Sequence, residues 1–98
     1  MSLESEAQVI IVGSGMNSLV CAALLAQRGK SVLVLERNDR LGGCIRTEGV
    51  FPGYRHDVLS CWYPLFMGSP AYAALKPALR EAGLEFMQGE YATGLVLP

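Results

Sequence analysis

At 98 residues and a formal net charge of −1, the chain has room for one small domain and no excess of positive charge to argue for nucleic acid. Its 51% hydrophobic and 17% charged content excludes a disordered chain and describes one that builds a core. Three cysteines without a C-x-x-C, and no basic-then-apolar leader pattern, set the expectation of a reducing, cytoplasmic compartment.

Residues 1–7 are polar and acidic and are expected to be a disordered, tag-like N-terminus. Val9 to Val12 is a continuous β-branched run, which suits a parallel strand covered on both faces. Gly13 follows where the strand must turn sharply, and Gly15 where the backbone must approach a ligand closely with no Cβ in the way. A helix is expected from about Gly15 to Arg28, with Leu19, Ala22, Ala23, Leu25 and Ala26 packing on the sheet and Cys21 in the core. Its N-terminal amides and dipole suit a diphosphate. Gly29 sits where a left-handed residue closes a helix. Val32 to Leu35 then reads as a second buried strand, giving a right-handed β-α-β unit.

Glu36 ends that strand. A carboxylate there accepts from ribose hydroxyls and repels a 2′-phosphate, so NAD or the ADP half of FAD fits and NADP is a poor fit. The third glycine of G-x-G-x-x-G is Ser18, and the strand–turn–helix–strand–acid context makes up for that departure. The candidate cofactor contacts are Gly13, Ser14, Gly15, Met16, Asn17, Ser18, Glu36, Arg37, Gly42, Gly43 and Cys44. Gly42-Gly43 follows the acid after a charged turn, where a plain NAD domain would enter another crossover helix. A second stretch of close backbone approach there favours FAD over NAD.

Taken together, Gly13-Ser14-Gly15-Met16-Asn17-Ser18-Leu19-Val20-Cys21-Ala22, Glu36-Arg37, Gly42-Gly43 and Thr47-Glu48-Gly49-Val50-Phe51-Pro52-Gly53-Tyr54 resemble the flavoprotein superfamily of amine oxidases and phytoene desaturases. The similarity is closer to its phytoene dehydrogenase-related branch, which includes the pyridine-nucleotide-disulfide-oxidoreductase-domain protein 2 type. The resemblance implies an α/β fold: a Rossmann-type βαβ FAD/NAD(P)-binding domain, the N-terminal fragment of a larger two-domain flavoprotein. It also implies a flavin-dependent dehydrogenase or desaturase with an apolar substrate, and FAD contacts at Gly13, Gly15, Glu36, Arg37, Gly42 and Gly43. Asn38 and Cys44 stand where that superfamily often has arginines, and Arg40 or Arg46 is a candidate replacement for the lost charge.

Within this scheme residues 8–58 form the dinucleotide-binding core. Residues 59–98 carry an apolar loop, a helix and the start of a further strand leading to a substrate domain outside the chain. Tyr54 to Asp57 is expected as a short strand, and Asp57 matches an acid of the family's F-x-x-D stretch. His56 is assigned to packing or surface. Leu59 to Met67, with Trp62, is too apolar for a free loop and reads either as core or as the lining of a substrate channel. Ser69 and Pro70 start a helix, Pro77 is expected to kink or split it, and Gly83 ends it. Leu84 to Met87 is expected as a strand, and residues 94–98 as a strand entering a hairpin. No metal site and no catalytic acid or base is identified. The partners expected are a small apolar substrate and no nucleic acid, with peripheral membrane contact and oligomeric state left open. The alternatives are an NAD-binding half of a dehydrogenase and a non-catalytic dinucleotide-binding interaction protein.

Overall fold

The structure, a computed structural model, describes residues 6–91 and 94–97. The expected N-terminal tail therefore lies outside the described residues apart from 6 and 7. The chain divides between Tyr63 and Pro64 into two compact units.

The first unit opens with β1 (Val9–Val12), α1 (Met16–Gln27) and β2 (Val32–Leu35). β1 and β2 pair in parallel with Val9 opposite Val32 and Val12 opposite Leu35. Gly13 N–H extends the ladder to Leu35 O at 2.6 Å. Gly13 takes φ +94°, a region an L side chain rarely adopts, so the turn that ends β1 needs glycine. Gly29 likewise closes α1 with a positive φ. The β-α-β expectation holds, with the strands at the bounds given by the sequence and the helix one residue shorter at each end.

The expectation of strands buried on both faces does not hold. Val9, Ile11, Val32 and Val34 are half-buried, while Ile10, Val12, Leu33 and Leu35 are exposed. A single crossover helix covers one face of a two-stranded sheet, and side chains alternate between faces. Cys21 is exposed rather than core, because it lies on the side of α1 turned from the sheet.

The unit ends with β3 (Thr47–Glu48) and β4 (His56–Asp57), an antiparallel pair closed by a turn in which Tyr54 N–H donates to Phe51 O at 3.1 Å. The expected strand at 54–57 is thus shortened to its last two residues. Thr47 Oγ1 donates to Asp57 Oδ1 at 2.7 Å. The His56 ring lies edge-on to Phe51 at 5.9 Å and stacks on Tyr54 at 6.2 Å, which is the packing role expected of it.

The second unit holds α2 (Pro64–Met67) and α3 (Pro70–Glu81). Ser69 caps α3 by accepting from Tyr72 N–H at 3.1 Å, and its hydroxyl donates to Phe66 O at 2.7 Å. Tyr72 packs between Phe66 and Phe86, with ring centroids 5.3 and 5.6 Å away. α3 runs through Pro77 as one helix, not two. A proline removes one donor and crowds one carbonyl, and here the cap at Ser69 and the buried Leu75 hold the helix before Pro77, while Ala82 N–H to Ala78 O and Leu84 N–H to Leu79 O close the turns after it. Leu84 to Met87 forms no strand, and neither do residues 94–97, because among the described residues no neighbouring strand offers them a ladder. Pro98 lies outside the described residues.

Among the described residues of this unit, Leu75 is the buried hydrophobic one, 4% exposed. Leu75→Ala is expected to lower the unit's stability by about 2 kcal/mol, the low end for a leucine truncation because few layers surround the site. Chemical denaturation monitored on the α3 helix checks this.

Candidate functional site

The first unit brings two glycine turns together. Gly42 N–H donates to Ser14 O at 3.0 Å, and Gly15 and Gly42 form an isolated parallel bridge. Gly43 takes φ +58°, and a Cβ added there would stand 3.2 Å from Gly15 Cα, backbone against backbone. Gly43 is therefore required by the closeness of Gly15, and Gly42 by its φ of +104°.

Beside these turns lies a cavity of about 440 Å³ lined by Gly15, Met16, Asn17, Ser18, Gly42, Gly43, Cys44, Ile45 and Ser60. Gly15 is the N-cap of α1 and no side chain caps the helix. Among the described residues, the amides of Gly15, Asn17 and Ser18 donate to no protein group. Unpaired N–H groups at a helix start, facing a cavity with glycine walls, make an anion site with the positive end of the helix dipole behind it. The residues present fit a diphosphate.

Glu36 stands on the other side of the first turn. Its Oε2 accepts from Ser14 N–H at 2.9 Å and from Ser14 Oγ at 2.6 Å. Its Oε1 accepts from Asn38 N–H at 3.0 Å and Asn38 Nδ2 at 2.9 Å. The Ser14 hydroxyl and then the Asn38 and Ser14 backbone amides hold the Glu36 carboxyl down from 4.5 to about 2. Glu36 is thus ionised at any ordinary pH and fixed against the glycine turn, where a ribose-binding acid belongs. A carboxylate offers about four lone-pair sites, and protein donors engage each oxygen twice. Three of these donors are backbone or buried. The Asn38 amide is exposed, and it is the one a ribose hydroxyl can replace.

Of the residues singled out from the sequence, Gly15, Met16, Asn17, Ser18, Gly42, Gly43 and Cys44 share the cavity wall. Gly13 shapes the turn behind it. Ser14 is fully buried, 0% exposed, so it holds the wall from inside instead of facing a ligand. Arg37 is exposed and lines no part of the cavity. Arg40 and Arg46, candidates for the missing charge, both turn to Glu48, at 3.8 and 3.5 Å. Asp57 is engaged by Thr47 in the β3–β4 pair. Sequence reasoning missed Ile45 and Ser60. Val58 N–H donates to Arg46 O at 3.0 Å, which continues the β3–β4 pairing and brings 58–60 back toward 44–46. No local signal in the sequence announces that return. Tyr63 lies nearby, its hydroxyl donating to Ser60 O and its pKa raised by burial, then by the Asp57 charge.

Residues 11–81 match the family described as NAD(P)-binding Rossmann-like domain. One component of the limonene dehydrogenase of Castellaniella defragrans is 30% identical over 96 residues, 98% of this chain and 17% of that protein. Human all-trans-retinol 13,14-reductase is 51% identical over 41 residues, 42% of this chain and 7% of that protein. The crystal structure of a CLA-producing fatty acid isomerase from P. acnes superposes with a TM-score of 0.59 at 25% identity, covering 86% of this chain and 19% of that one. The chain spans between 7% and 17% of the length of these two curated relatives. Among the described residues no helix is long and apolar enough to cross a membrane.

Proposed function

The chain belongs to the NAD(P)-binding Rossmann-like domain family, and from that premise we propose that it holds the ADP half of FAD in a flavin-dependent oxidoreductase acting on an apolar substrate. The observation that carries this reading is the contact of the two glycine turns, Gly15 against Gly42-Gly43, over a cavity walled by free helix-start amides. A βα turn shaped for geometry alone has no use for a second glycine turn packed so close that a Cβ added to Gly43 would stand 3.2 Å from Gly15 Cα. Relatives named as a limonene dehydrogenase and a retinol reductase support both the reaction class and an apolar substrate.

In this reading the diphosphate lies along Gly15 to Ser18 and Gly42 to Cys44, and Glu36 faces the adenosine ribose. Bound flavin supplies hydride chemistry, and the protein supplies position and electrostatics. The Glu36 charge disfavours a 2′-phosphate. NAD is the second reading, supported by the family's description and opposed by the Gly42-Gly43 turn.

Reconstitution of the full-length protein with FAD is the direct test. The expected result is the visible absorption bands of a bound, shifted flavin that survive gel filtration. Retention of NAD in place of FAD would transfer the site to the second reading. Asn38→Asp is expected to weaken FAD binding about tenfold at low salt, because it sets a second carboxylate against Glu36. The loss should shrink at high salt, and titrations at two ionic strengths check it.

A further inference from the structure

We propose that Ser14 is a positioning residue, buried away from the nucleotide, that locks the Glu36 carboxylate and the Gly42-Gly43 turn into the single arrangement the ligand meets. Its effect on ligands rests on the nucleotide reading above, whereas its grip on Glu36 is independent of any ligand.

Three parts of the site converge on this serine. Its N–H and its hydroxyl both donate to Glu36 Oε2, at 2.9 and 2.6 Å. Its carbonyl accepts from Gly42 N–H at 3.0 Å, and the same N–H approaches its Oγ at 3.3 Å. Glu36 comes from the end of β2, Gly42 from the loop beyond it, and Ser14 from the turn after β1. These segments are 22 and 28 residues from Ser14, and one fully buried residue ties them.

The hydroxyl does what no other small side chain would do there. Glycine or alanine would satisfy the space, and the G-x-G pattern places no demand on the middle residue. Only a hydroxyl both donates to the carboxylate and accepts from the Gly42 amide. A donor fixed on an anion also fixes where its remaining lone pairs point. With Oε2 held by Ser14 on the buried side, Oε1 is left toward Asn38 and solvent, the side a ribose can reach. Without the hydroxyl, Glu36 keeps one backbone donor on that oxygen and gains freedom to rotate.

The test is Ser14→Ala in the full-length protein. In ligand-free protein, the Glu36 side-chain carboxyl followed by carbon NMR should stay ionised down to about pH 3 in wild type and titrate at clearly higher pH in the variant, where the Ser14 and Asn38 backbone amides and the Asn38 side chain alone hold it down. The affinity ratio of ADP-ribose over its 2′-phosphate should fall about tenfold, since a freed Glu36 repels the phosphate less. Ser14→Thr, which keeps the hydroxyl, should restore both. An unmoved Glu36 titration overturns the proposal. So does an equal loss of both ligands with the ratio intact, which would mark Ser14 as filling only. Wild-type protein that binds neither ligand defeats the nucleotide reading, and the titration alone then decides the role of Ser14. Should Ser14→Ala not fold, Glu36→Ala reads the link from the other side. Exchange of the Ser14 amide should accelerate while the β1–β2 ladder is unchanged, and an unaltered Ser14 amide overturns the proposal.

Discussion

Gly43→Val is expected to weaken FAD binding by roughly 100-fold or more, about 3 kcal/mol, with a much smaller effect on folding. Two independent costs meet at this position. The backbone there has φ +58°, which a β-branched residue adopts only under strain. The added Cβ would stand 3.2 Å from Gly15 Cα, and neither partner is a flexible side-chain end that can swing aside. The second turn must therefore move off the first, and the cavity wall formed by Gly42, Gly43 and Cys44 moves with it. Gly43→Ala adds the same clash with less strain and should fall between wild type and valine. Flavin content after reconstitution and a calorimetric titration measure the loss, and thermal unfolding of the ligand-free protein separates it from instability. Wild-type affinity in the valine variant would mean that the diphosphate does not lie between these turns.

What the sequence could disclose followed the range of each signal. β1, α1 and β2 were legible because their cues are local: a β-branched run and an apolar run, a glycine after β1 and after α1, an acid at the end of β2. Gly42-Gly43 was legible as a second close approach, and the structure shows what it approaches, Gly15. The Ser14–Glu36 bond was not legible, since a serine between two glycines looks like filler until the strand 22 residues later is laid beside it. Ser60 entered the cavity wall by the same kind of long return, through the β3–β4 pairing. The two-faced burial expected of Val9 to Val12 and Val32 to Leu35 describes a sheet with helices on both sides, and among its described residues the first unit has one helix to cover its sheet. Pro77 shows the opposite failure, a strong local breaker overridden by the cap and the buried Leu75.

Glu36 links these observations to a second large effect. Glu36→Gln should reduce FAD affinity by more than tenfold and remove most of the discrimination against a 2′-phosphate. The substitution is nearly isosteric, and its cost comes from polarity. Ser14 and Asn38 each present two donors, one pair to each oxygen. A carboxamide has one acceptor end, so its NH₂ must face one of the two pairs, donor against donor. Facing Asn38 would present a donor to the ribose side, and facing Ser14 would break the buried contact. The pH dependence carries the sign. The Glu36 carboxyl is lowered from 4.5 to about 2 on folding, chiefly by the Ser14 hydroxyl. Its stabilising contribution is therefore complete above about pH 4.5 and is lost as the pH falls toward 2. Other carboxylates titrate in the same window, so the diagnostic quantity is the difference between wild type and Glu36→Gln. That difference in unfolding free energy should be constant from about pH 5 upward and shrink steadily below it. Denaturant melts at closely spaced pH values measure it, and a difference that grows on acidification would show that the Ser14 and Asn38 bonds do not favour the ionised form.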